Sequence, residues 1–247
     1  MKNILVIGCS NGHRKHRALR QVFQEKKSKE KTISHGIDGD EFLIDEYCTY
    51  SNLSMSGAGN LYIRHRLFDY IKKQLPDYVY LQFSGLIRRD VYFLQEAQDI
   101  FLNAATSGYK IVDDKIFMGG GNLIDGTIST WQKKIFSMMY SKNYSINNYE
   151  SLQEVFLCLS ILEKLRIRHN YTFYYDPTNP PTEITRDEGT LSKFPDFINC
   201  QNLLPSPLNF AIENGYSVAD GVHFGDEAFL DYVRHHKEKF HVNLDDK

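Results

Sequence analysis

The chain lacks most features that would fix its class at a glance. Its four cysteines (Cys9, Cys48, Cys158 and Cys200) are scattered through 247 residues without a CxxC pair. That spacing suggests no zinc or disulfide frame and reads as reduced thiols in a reducing compartment. An excess of one charge is also missing. With 29 Lys and Arg against 31 Asp and Glu the net charge is -2, so the balance gives no reason to expect nucleic acid as a partner. Long apolar runs are absent too. The strongest, 155–162, is far shorter than a membrane span. The stretch 4–7 is too short for a signal-peptide core, and basic residues follow it instead of a cleavage site. The expectation is a cytoplasmic protein with no membrane partner. There is no internal repeat and no low-complexity tract. Ordinary usage, 42% hydrophobic and 24% charged, allows a sizeable core in a single domain over 1–247.

What is present alternates between strand and helix. Residues 3–8 are an apolar, β-branched run ending in glycine, which predicts a buried parallel strand. Residues 13–25 follow as a helix, with Leu19, Val22 and Phe23 on one face. A second helix is predicted over 61–75, with Leu61, Leu67, Phe68, Ile71 and Leu75 as its apolar side and Pro76 as its stop. Residues 77–84, rich in aromatic and β-branched side chains, predict a central strand. The clearest helix is 151–165. Leu152, Val155, Phe156, Leu159 and Leu162 share its face, and Ser151 with Glu154 fits a capping box. A strand over 171–175 is stopped by Asp176-Pro177. Residues 176–207 read as a long irregular surface excursion. The last helix is predicted over 226–240, with Asp226 and Glu227 in its first turn and Lys237 and Lys239 in its last. The alternation implies right-handed crossovers and a mostly parallel sheet.

The turn after the first strand carries the first candidate chemistry. Gly8-Cys9-Ser10-Asn11-Gly12 puts a serine hydroxyl at the carboxyl edge of the sheet, where ligands bind in open parallel folds. Unpaired N–H groups at the start of the next helix point to the same space and can hold a forming oxyanion. Taken alone, Ser10 reads as a helix cap. A phosphate-binding turn is a second reading, although neither G-x-G-x-x-G nor a Walker A lysine is present. The literal G-x-S-x-G match is accidental, because a nucleophile elbow follows several strands and does not open the chain.

A serine needs a base, usually a histidine oriented by a carboxylate. Asp220-Gly221-Val222-His223 places both in one short loop before the final helix. Taken together, these blocks resemble the SGNH (GDSL-type) hydrolase superfamily. Gly8-Cys9-Ser10 stands where that family has G-D-S, and Asp220 with His223 matches its D-x-x-H. Asn52-Leu53-Ser54-Met55-Ser56-Gly57 looks like its second block, with Gly57 as the oxyanion-binding glycine. The third block, G-x-N-D, is degenerate. In Gly85-Leu86-Ile87-Arg88-Arg89-Asp90 the asparagine's place is taken by Ile87, as Cys9 takes that of the first block's aspartate.

The resemblance implies a three-layer α/β/α, flavodoxin-like fold. It implies a serine-dependent esterase, deacetylase or O-acyltransferase that uses no cofactor and no metal and acts on a small-molecule or glycan acyl ester. Ser10, His223 and Asp220 would be catalytic. The backbone N–H groups of Ser10 and Gly57 would form the oxyanion hole. Asn60, Ser84 and Arg88 are the candidates to replace the missing asparagine and touch substrate. Two alternatives stand beside this reading. One is a catalytically impaired SGNH-like domain that binds a glycan or protein. The other is a nucleotide-binding α/β protein.

Two further features have ordinary readings. His13, Arg14, Lys15, His16 and Arg17, with Arg64, Arg66, Arg88 and Arg89, read as a solvated basic face, or more sharply as an attractor for an anionic substrate. His235, His236 and His241 lie on or after the charged terminal helix and read as solvated.

Overall fold

The computed structural model describes residues 2–9, 32–35, 41–44, 48–55, 58–86, 90–94, 109–112, 115–118, 144–178, 200–219 and 223–240. The helix predicted over 13–25 lies outside them.

The main sheet is built on β1 (Lys2–Gly8), flanked by β4 (Cys48–Asn52) and β5 (Tyr78–Phe83), with β9 (Arg168–Phe173) beyond β5. These four strands are parallel. On the far side of β4, β3 (Glu41–Ile44) and β2 (Thr32–His35) continue the sheet antiparallel. A separate antiparallel sheet consists of β6 (Val91–Leu94), β7 (Tyr109–Val112) and β8 (Lys115–Met118), in the order β6-β8-β7. The general architecture is therefore α/β around a mostly parallel sheet.

A strand that is apolar on both faces must be covered on both. In β1, Leu5 and Ile7 point one way and Ile4 and Val6 the other. The first pair joins Val79, Leu81, Phe83, Tyr171 and Phe173 in one cluster. Two helices pack into that cluster, α1 (Asn60–Lys73) and α2 (Tyr144–Lys164). The second pair joins Tyr78 and Tyr80 in another cluster. There the helical partners are α3 (Pro207–Glu213) and α4 (Asp226–His235). Fully burying each Leu, Ile or Phe contributes roughly 1.5–3 kcal/mol, so these two clusters are the main source of cohesion.

Several expectations need correcting. In α1 the buried face runs through Tyr62, Ile63, Leu67 and Tyr70, while Leu75 is 60% exposed. Tyr62 and Tyr70, which the predicted apolar side left out, turn the helix. α2 begins at Tyr144 and not at Ser151. Ser151 is a buried mid-helix residue, and Cys158 replaces the exposed Phe156 on the inner face.

The region read as a surface excursion returns to the core before residue 207. Leu203 bridges Tyr171 in parallel, and Leu204 N–H donates to Tyr171 O at 2.8 Å. Ser206 then caps α3. Its Oγ accepts from Asn209 N–H at 3.2 Å and donates to Tyr174 O at 2.9 Å. Ser206-Pro207 is a start signal, a cap followed by proline in the first turn, that the proline-rich setting concealed. α4 ends at His235, and Lys237–Lys239 form a separate 3-10 turn.

Candidate active site

All four parallel strands finish on the same edge, the edge where ligands bind in such sheets. Two glycines there answer to close approach. A Cβ on Gly8 would lie 2.9 Å from Gln82 Cβ and 3.3 Å from Gln82 O, and one on Gly85 would meet the Tyr175 hydroxyl at 2.5 Å. Beyond β4 the chain stays on β1. Leu53 N–H donates to Val6 O at 2.8 Å and Met55 N–H to Gly8 O at 3.0 Å. The stretch leading to Gly57 is thus held against the stretch leading to Ser10.

α1 starts directly after this turn. Its N-cap, Gly59, has no side chain to offer. Asp90, a buried carboxylate from beyond β5, serves instead. It accepts from Gly59 N–H at 2.5 Å and Tyr62 N–H at 2.6 Å. A carboxylate in that position also complements the positive end of the helix. No local sequence signal marks this cap, because it comes from 31 residues away.

The predicted site residues divide into two groups. Ser10, Gly57, Arg88 and Asp220 lie outside the described residues. Three others are placed. His223 is exposed and opens β11 (His223–Phe224), pairing with Ala219 of β10 (Val218–Ala219) just before α4. The next residue, Phe224, is buried and stacks on Phe229 with ring centroids 6.5 Å apart. It belongs to the same apolar cluster as Cys9, the residue before Ser10. Cys9 is fully buried there. A thiol suits such a cluster, whereas an aspartate would need compensating partners.

Asn60 and Ser84 are brought together and buried. Asn60 Oδ1 accepts from Ser84 N–H at 2.9 Å, and Asn60 Nδ2 donates to Ser151 Oγ at 2.8 Å. Ser84 Oγ lies 3.4 Å from Asn60 Oδ1 and 3.3 Å from Gly85 O. These bonds are all internal and join α1, the end of β5 and α2.

Sequence reading passed over Gln82, at the penultimate position of β5. It is fully buried, and neither its Oε1 nor its Nε2 has a hydrogen-bond partner among the described residues. Leaving a buried polar group unsatisfied costs about 1–3 kcal/mol. A glutamine inside a strand gives no sequence signal of this.

Burial pushes the Tyr78, Tyr80 and Tyr232 phenols well above their ordinary range, so they stay protonated at neutral pH. Tyr78 donates to Asn170 Oδ1 at 2.8 Å and Tyr232 to Pro205 O at 2.7 Å. The expected basic face loses two members. Arg64 pairs with Glu154 of α2 and lies over the Phe68 ring at 5.7 Å, and Arg66 is buried. A cavity of about 400 Å³ opens beyond β9 at the same sheet edge. Phe173, Leu203, Pro205, Asp176, Thr178 and Lys239 are among its lining residues.

Among the described residues no three His, Cys, Asp or Glu side chains gather to hold a metal ion, and no helix is long and apolar enough to cross a membrane. No family model matches the chain, and no curated protein matches it.

Proposed function

We propose that the protein is a serine-dependent acyl ester hydrolase or O-acyltransferase of the SGNH type. In this reading Ser10 Oγ attacks the acyl carbonyl while His223 takes its proton, and Asp220 orients the imidazole. The carbonyl electron pair becomes an oxyanion held by the N–H groups of Ser10 and Gly57. Collapse expels the alkoxide, which recovers the proton from His223. Water or a second hydroxyl then takes the acyl group by the same steps.

The observation that carries the proposal is the Met55 N–H to Gly8 O bond. It ties the second sequence block to the first on the carboxyl edge of the sheet. Two others support it. Phe224, beside His223, shares a cluster with Cys9. Asp220 directly follows Ala219, the residue paired with His223. The order β4-β1-β5-β9, extended by the parallel Leu203–Tyr171 bridge, favours a three-layer flavodoxin-like fold. The cavity beyond β9 offers an apolar floor with Asp176 and Lys239 at hand, suited to an acylated glycan.

Turnover of p-nitrophenyl acetate and labelling by a fluorophosphonate test the assignment. Both are expected in the wild type and neither in a folded Ser10→Ala protein. Turnover that survives Ser10→Ala removes the serine reading. Ile87 in the asparagine position favours a second reading, an inert glycan-binding domain. Glycan binding without any labelling would select it.

A further inference from the structure

We propose that the Gln82 carboxamide is a third donor to the oxyanion, through Nε2–H. This rests on the serine reading above and goes beyond its two backbone donors. Gln82 is in register with Gly8 on one side and Thr172 on the other. Its side chain lies on the face of β5 that carries Tyr78 and Tyr80. It packs directly on Gly8, whose absent Cβ would sit 2.9 Å from Gln82 Cβ and 3.4 Å from Oε1. The amide therefore lies over the strand end that leads, two residues on, to Ser10.

The chemistry fits that position. A carboxamide offers two N–H donors and stays neutral, so it can stabilise an oxyanion without competing for the histidine's proton. The neighbouring amide of Asn60, by contrast, is already engaged, its Oδ1 with Ser84 N–H and one Nδ2 hydrogen with Ser151 Oγ. Stability alone disfavours a fully buried amide with no partner among the described residues. A methionine of similar shape would fill the space without the desolvation penalty. Retaining glutamine there is explained by a partner that arrives only with the reaction. As the carbonyl electron pair moves onto oxygen, Gln82 Nε2–H donates to that oxygen. It gives up no proton, and its bond is released when the carbonyl re-forms.

The test compares wild type, Gln82→Met and Ser10→Ala in three assays: thermal melting, p-nitrophenyl acetate kinetics and fluorophosphonate labelling rate. Gln82→Met should melt at or above the wild-type temperature. Its kcat should fall roughly 100- to 1,000-fold, the usual effect of losing one such donor, with KM within threefold. Labelling should slow in parallel. A kcat within threefold of wild type overturns the proposal. So does a large drop in Tm or failure to fold, because either means that the amide has a structural partner. An inactive Ser10→Ala beside a fully active Gln82→Met rejects Gln82 alone. A wild type that neither turns over nor labels rejects the serine reading and this inference together.

Discussion

His236 illustrates how far a side chain's setting can depart from its residue type. Its ring lies 4.9 Å from Tyr232 and 5.8 Å from Phe210, and the residue is 8% exposed, not solvated as its place in a charged helix suggested. Burial, reinforced by His235 and Lys239, lowers its pKa to about 4. The unfolded value is near 6.5. Between those values the unfolded chain binds the extra proton, so stability is complete above about pH 6.5 and is lost as pH falls toward about 4. The loss should be roughly 1–3 kcal/mol. Melting temperatures of wild type and His236→Phe at pH 7, 6, 5 and 4.5 check this. The variant should be flatter across the window, and equal slopes would assign the acid sensitivity elsewhere.

Among the elements, α2 shows why local signals misled. Ser151 and Glu154 have capping-box spacing, yet both are engaged from α1. Ser151 accepts from Asn60, and Glu154 pairs with Arg64. Tertiary partners had claimed residues that look like a helix start. The end of α2 has its own irregularity. Ile167 N–H bonds back to Leu162 O at 2.9 Å, and Arg166 between them has φ of 57°. That left-handed conformation costs a residue with a Cβ about 1–2 kcal/mol and costs glycine little. Arg166→Gly is therefore expected to raise stability by about 1 kcal/mol. Urea denaturation measures it, and a loss would show that the Arg166 side chain contributes more than the strain removes.

For the molecule as a whole, the parallel core was legible and its surroundings were not. The runs at β1 and β5 are apolar on both faces, and the sequence pattern conveys that directly. The added strands β2 and β3 are only four residues each and leave no such pattern. Of the candidate blocks, Gly8, the stretch before Gly57 and His223 each sit at a strand end or beside one, while Ser10, Gly57, Arg88 and Asp220 lie outside the described residues. The Asp90 cap and the buried Gln82 amide left no sequence signal, since both settings come from contacts across the sheet edge and from no neighbour in sequence.

Asn60 gives the fold a built-in reporter. One amide is bolted to the Ser84 N–H on one side and to the Ser151 hydroxyl on the other. Deuterium can enter at Ser84 only when that joint opens. In native-state exchange, Asn60→Ala should speed uptake in the peptide covering residue 84 and also in the one covering residue 151. Uptake rising at 84 alone would mean that the strand end breathes without the helix, and that the joint is two separate hinges.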